Sequence, residues 1–261
     1  MNSILVPFDF TLATEKALHQ TLEIARAHDS QLTFLHICSE KDMLQKQEQL
    51  YEVIEKHAKG TGISFKVWVR GGDVLEILEQ ELSNREFALA VLGTHGPKGL
   101  RQFFFGSDIL DLVRNSKIPT LVVQEQTQPK TAFRKILMPA GAHHSYMHLA
   151  ESLLPLAKKS LAEVVLYDIR RPMEDLSDEL LSNRKKALDF FDRNQIHCRI
   201  VEEPSTTVSF GFAKQTLLFA EQNEFDLIAI VPAASDEYTS ISEAEKERFL
   251  SNENGIAIWC A

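Results

Sequence analysis

Strand-length apolar runs alternate with helix-length amphipathic stretches through the whole chain, and the alternation starts twice. Ile4–Phe8 predicts a strand and Thr11–Ala27 a helix, with Ala13, Ala17, Leu18, Leu22 and Ala25 on one face. Leu32–Cys38 predicts a second strand, Met43–Lys59 a helix and Ser64–Val69 a third strand. Gly71-Gly72 then breaks the chain before a helix that Asp73 can cap, running to about Leu82. Phe87–Leu92, the helix Ser107–Asn115 and Pro119–Val123 complete the set. A strand that must wait for a helix before its next partner makes βαβ units. The pattern therefore predicts a mostly parallel sheet covered on both faces.

The polar stretch from Gln124 to Thr131 has no apolar period and reads as a linker, after which the pattern restarts. Ile136-Leu137-Met138-Pro139 repeats Ile4-Leu5-Val6-Pro7 at an offset of 132, and Val164–Tyr167 falls where the second strand belongs. Glu224–Val231 repeats Glu86–Gly93 in the same element order. An ordered internal repeat implies duplication of one unit. We expect an α/β protein of two doubly wound domains, each with a mostly parallel five-stranded sheet flanked by helices. The expected boundaries are residues 1–123, a linker at 124–132 and a second domain at 133–261. The length of 261 residues suits two units of the usual size, roughly 100 to 150 residues.

Charge excludes several classes of partner. The net charge is −9, and residues 1–129 carry 13 Lys/Arg against 17 Asp/Glu, with 15 against 20 in the remainder. Neither half offers the basic stripe that neutralises a phosphate backbone, so no nucleic-acid partner is expected. No apolar run approaches the roughly 20 residues of a membrane span, and Met1–Pro7 lacks the basic start of a cleavable leader. A cytoplasmic protein with no membrane contact is the expectation. Cys38, Cys198 and Cys260 are odd in number and widely spaced, which predicts reduced, packed thiols.

The chemistry concentrates after the fourth strand, in Gly93-Thr94-His95-Gly96-Pro97-Lys98-Gly99-Leu100 and on through Gly106-Ser107. Loops at the carboxyl ends of strands are where open parallel sheets bind ligands. Gly93 and Gly96 permit close backbone approach, and Gly106-Ser107 opens a helix whose free amides and dipole suit an anion. Neither the phosphate-loop nor the dinucleotide spacing occurs. The spacing of Gly93, Gly96, Gly106 and Ser107 resembles the signature of the universal stress protein family, and the likeness extends to Ile4–Asp9 and Leu35-His36-Ile37.

That resemblance implies an adenine-nucleotide site, ATP first, in the first half. By position it places Pro7, Phe8 and Asp9 near the nucleoside and the backbone of Ile37 at the adenine edge. Leu92, Gly93, His95 and Gly96 follow along ribose and phosphates, with Gly106, Ser107, Asp108 and Ile109 at the phosphate end. Asp9 could instead serve only as a helix cap, His95 could be solvated, and Ser107 caps its helix with or without ligand. Asp108 departs from the apolar residue usual at its position. A carboxylate there competes with phosphate unless Mg²⁺ or Mn²⁺ bridges the two. In the second half Gly141 stands for Asp9, Val231 for Gly93 and Ala234 for Gly96, and Ser235–Ser242 is acidic and free of glycine. That half is expected to have lost the site.

Other constellations are sparse. His144 and His148 stand at i, i+4 on a predicted helix beside His143, yet no Cys or carboxylate completes a metal set. No Ser-His-Asp or Cys-His order and no paired strand-end carboxylates indicate a nucleophile or an acid/base pair, so no catalytic residues are assigned. The expected function is a nucleotide-binding stress-response or regulatory protein acting through conformational or partner changes. A slow ATPase or nucleotidyl-transfer enzyme and a non-binding scaffold are the alternatives. The halves are expected to pair as a pseudo-dimer through the apolar edges Thr120–Val123 and Ile256–Cys260, with homodimerisation of whole chains left open.

Overall fold

The computed structural model describes residues 2–84, 86–94, 106–171, 175–205, 212–233 and 239–261, the side chains of 106–108 and 239–243 excepted. In the first half β1 (Ser3–Pro7), α1 (Leu12–His28), β2 (Gln31–Cys38), α2 (Met43–Ala58) and β3 (Phe65–Gly71) are followed by α3 (Val74–Ser83), β4 (Leu89–Thr94), α4 (Gly106–Asn115) and β5 (Thr120–Gln124). The second half repeats the order: β6 (Lys135–Pro139), α5 (Tyr146–Ser160), β7 (Glu163–Arg170), α6 (Asp178–Arg193), β8 (His197–Pro204), α7 (Phe212–Gln222), β9 (Leu227–Ile230), α8 (Thr239–Leu250) and β10 (Ala257–Cys260). All ten strands join one sheet in the order β3-β2-β1-β4-β5-β10-β9-β6-β7-β8.

Pairing is parallel within each half and antiparallel where β5 meets β10, with Thr120 opposite Cys260 and Val122 opposite Ile258. Alternation along the strands feeds two core layers. In β5, Leu121 and Val123 enter the layer under α1, α2, α5 and α6, while Val122 enters the other. Such two-sided burial is why these strands read as continuous apolar runs. Trp259 fills the junction, fully buried, with its Nε1 donating to Ser152 Oγ at 3.0 Å.

Local chemistry sets the helix ends. Asp73 Oδ1 accepts from Glu76 N at 3.0 Å and starts α3. Helices α1 and α5 stop on left-handed residues at the same repeat position, Asp29 (φ 53) and Leu161 (φ 50). The fourth strand lies later than expected: its ladder runs from Leu89, opposite Ile4, to Thr94, opposite Gln124. Gly93 and Thr94 are thus strand residues, because the neighbouring strands still supply partners there. Helix α5 begins at Tyr146, so His143 and His144 precede it and the expected i, i+4 pair of imidazoles on one helix does not form. Of the stretch Ser235–Ser242, residues 239–242 belong to the first turn of α8.

The connection from β5 to β6 is tied down at several points. Thr127 is buried and its Oγ1 accepts from Gln124 N at 2.8 Å. The Gln20 side chain receives Lys130 N at 2.9 Å and donates to Lys130 O at 3.0 Å.

Candidate functional site

In each half the strand order reverses at one point, between β1 and β4 in the first and between β6 and β9 in the second. Successive helices then leave on opposite faces, and a crevice opens at the strand ends. The β1/β4 crevice gathers Pro7, Phe8, Asp9, Ile37, Leu92, Gly93 and Ile109, seven of the residues that the sequence singles out. His95 and Gly96 lie outside the described residues. Gly106, Ser107 and Asp108 form the first turn of α4, with their side chains undescribed. Four further wall residues carried no motif: Thr14, Val74, Leu78 and Leu112, while Leu35 belongs to Leu35-His36-Ile37. His36 also lines the crevice and was legible only as part of Leu35-His36-Ile37. Thr14 is a buried polar residue of α1, as Gln20 and Thr21 are, so nothing in the sequence set it apart.

The turn from β1 into α1 is built around Asp9. Its Oδ1 accepts from Thr11 N at 3.0 Å, Thr11 Oγ1 at 2.5 Å and Thr14 Oγ1 at 2.9 Å. The cap of α1 is Thr11, whose side chain accepts from Thr14 N, so Asp9 holds the cap rather than being it. Asp9 Oδ2 takes no hydrogen bond from the described residues. Between Asp9 and the cap stands Phe10 at φ 67, a left-handed conformation uncommon for a bulky residue. Its ring meets Phe8 and His36 edge-on at 5.4 and 4.9 Å, and Lys46 Nζ lies 4.8 Å over its face.

Gly93 has a specific job in this turn. A Cβ there would lie 2.5 Å from Ala13 O and 2.8 Å from Thr14 N, so only glycine lets the first turn of α1 rest on β4. The close approach is to the protein's own helix.

His36 is 7% exposed, and its Nδ1 donates to Phe8 O at 2.7 Å. Burial pushes its pKa down, against a smaller upward pull from the Phe8 carbonyl. The neutral ring with Nδ1–H leaves Nε2 a bare acceptor, buried and without a partner among the described residues. The crevice itself encloses about 30 Å³, room for about one water, so a nucleobase enters only if the walls part.

The equivalent place in the second half is built from different residues. Pro139 pairs with Tyr167 as Pro7 pairs with Leu35, so Asp168 takes the position of His36. Asp168 bonds Arg184 Nη1 at 3.0 Å, and the same nitrogen meets Glu202 at 2.7 Å. Tyr146 holds the place of Thr14 and is 1% exposed. Its ring stands 4.0 Å from where a Cβ on Gly141 would be. Asn183 Nδ2 donates to Gly141 O at 3.1 Å and to His143 O at 3.0 Å, fastening the turn over that ring. Ala234 lies outside the described residues.

Among the described residues no group of three or more His, Cys, Asp or Glu is placed to hold a metal ion. The three cysteines are free thiols. Burial pushes Cys38 up and Cys198 and Cys260 up to about 12, away from thiolate reactivity. No helix among the described residues is long and apolar enough to cross a membrane.

Comparison with known proteins identifies the unit. Residues 1–124 match the model of the universal stress protein family. A search of curated proteins finds no match. A universal stress protein from Archaeoglobus fulgidus is similar over 100% of this chain and 96% of its own, at 16% identity and TM-score 0.74. A protein described as a putative universal stress protein from Pseudomonas aeruginosa is similar over 100% and 92%, at 15% identity and TM-score 0.60. A family protein from Arabidopsis thaliana, solved with AMP bound, covers 50% of this chain and 99% of its own, at 19% identity and TM-score 0.37. At such identities the full-length likenesses establish the fold. Residues 1–124 thus carry the match to the universal stress protein family, and the second half of the chain repeats the same fold.

Proposed function

We propose that the first half binds one adenine nucleotide per chain at the β1/β4 crevice, and that the protein is a cytoplasmic regulator in a stress response. The observation that carries this reading is the crevice itself. Asp9 is held at its rim by two threonines, a buried bare nitrogen on His36 lines it, and the first turn of α4 opens beside it. A carboxylate oriented by hydroxyls suits a ribose diol, an unpartnered acceptor suits an exocyclic amine, and a helix start suits phosphate. Binding would part the crevice walls at α3 and α4, which gives occupancy a conformational readout.

The halves act, in this reading, as one pseudo-dimeric unit in which the degenerate second half caps the sheet edge of the first. Asp108, in the first turn of α4, weakens binding of each added phosphate unless Mg²⁺ or Mn²⁺ bridges it.

Calorimetry with AMP, ADP and ATP, each with EDTA and then with Mg²⁺, tests the proposal. AMP should bind near one per chain, and at least as well as ATP without metal. Asp9→Ala should weaken AMP by about tenfold, the loss of a hydrogen bond to a charged group. A stoichiometry of two, or no binding of any of the three, would sink the reading.

A further inference from the structure

We infer that a second ligand site lies in the seam between the two halves, built for a small organic anion with an apolar or aromatic body. The seam holds a cavity of about 490 Å³, within the usual range for small-molecule sites and far larger than the crevice at β1/β4. Phe87, Val113, Ile118 and Pro119 of the first half form one wall, and Val231 and Pro232 of the second form the other. Arg114 and Lys117 enter from the end of α4, and Ser145 and His148 from the start of α5. The Arg114 side chain is only 26% exposed, so its charge acts in a poorly solvated place where it is worth more than in water. Asp111 pairs with its Nη1 at 3.2 Å from a side chain that is 62% exposed. Lys117 and His148 are exposed. An apolar chamber with two cations from the first half and a hydroxyl and an imidazole from the second matches an anionic head on an apolar body.

The near two-fold relation of the halves says why this seam is open. At the offset of 138 that carries Leu89 to Leu227, Asp226 and Gly255 take the places of Ala88 and Lys117. That symmetric seam is occupied by the connection from β5 to β6. Lys130 bridges to Asp226 at 3.0 Å, and a Cβ on Gly255 would lie 2.7 Å from the Gln126 backbone. One connection can fill only one of two related seams. The other keeps its volume and has Lys117 where its counterpart has glycine.

The probe is 1-anilinonaphthalene-8-sulfonate, an aromatic anion, titrated against the whole folded chain by fluorescence and calorimetry. Its neutral counterpart, N-phenyl-1-naphthylamine, runs in parallel. One sulfonate per chain is expected, bound at least about tenfold more tightly than the neutral compound. Lys117→Glu with His148→Glu replaces two exposed residues, so the fold survives while the probe weakens by about tenfold or more. Ala88→Trp, which fills the chamber and leaves the charges, should also remove binding. If the charge-reversed chain binds the sulfonate as the parent does, or the neutral compound binds equally well, the seam is only an apolar gap and the inference is wrong.

Discussion

Both halves leave their first strand along the same kind of path, Ile4-Leu5-Val6-Pro7 and Ile136-Leu137-Met138-Pro139, and then turn differently. In the first half glycine at 93 lets α1 begin at Leu12, close over β4, with Asp9 and two threonines fastening the turn. In the second half Val231 stands where Gly93 stood, and the residue in Leu12's place, His144, lies outside the helix. Tyr146, at the repeat position of Thr14, is buried in the core layer under α5. The two helix starts therefore pack differently against their strands.

The largest expected effect is at Tyr146. Tyr146→Ala should cost about 3–5 kcal/mol, the range for emptying a buried aromatic position, without changing AMP binding in the first half. Tyr146→Phe should be neutral or slightly stabilising, because the phenol oxygen is buried with no partner among the described residues. Chemical denaturation measures both, and an equal loss in the two variants would mean that the hydroxyl and not the ring fills the place.

Gly93→Val puts the second half's residue into the first. It should cost about 2–3 kcal/mol by driving α1 off β4 and should abolish AMP binding, since Asp9 and Thr14 move with that turn. Retention of AMP affinity would show that the turn does not shape the site.

A smaller effect is expected where the halves agree in backbone and differ in side chain. Asp29 and Leu161 share the left-handed stop, which aspartate tolerates better than leucine, and Leu161 is also 89% exposed. Leu161→Gly should stabilise by about 1 kcal/mol, while Asp29→Gly should gain less. A loss of melting temperature in Leu161→Gly would contradict this.

The smallest effect is on pH. Burial is the main cause of lowered pKa values at His19, His28 and His36, all in the first half. The unfolded chain then binds more protons than the folded one, so stability falls as pH drops through about 6.5 and below. At Asp168 burial raises the pKa against the pull of Arg184, so acid acts there with the opposite sign. His36→Asn should reduce the loss of melting temperature between pH 7.5 and 5.5. An undiminished loss would assign it to other groups.

Much of this molecule was legible in one dimension, because period and spacing are properties of the chain. Apolar runs of strand length separated by helices leave little choice but a parallel sheet, and the 132-residue offset announces two copies of it. The glycines after the fourth strand mark the crevice, since a residue without a Cβ is informative wherever it stands. The purpose of Gly93 was not legible. What it makes room for is Ala13, eighty residues away, and only the packed helix supplies that neighbour. Nothing in the sequence marks Tyr146 either, and only the packed structure buries it with its ring 4.0 Å from where a Cβ on Gly141 would be. The seam is more remote still, for it depends on β5 lying antiparallel to β10 and on which side the connection runs. Sequence by itself determined the elements and their repetition, through local periodicity and the absence of side chains at a few positions. The tertiary structure decided what lines the crevice at β1/β4 and where the second cavity lies, because both follow from distances between residues that the chain separates by tens to hundreds of positions.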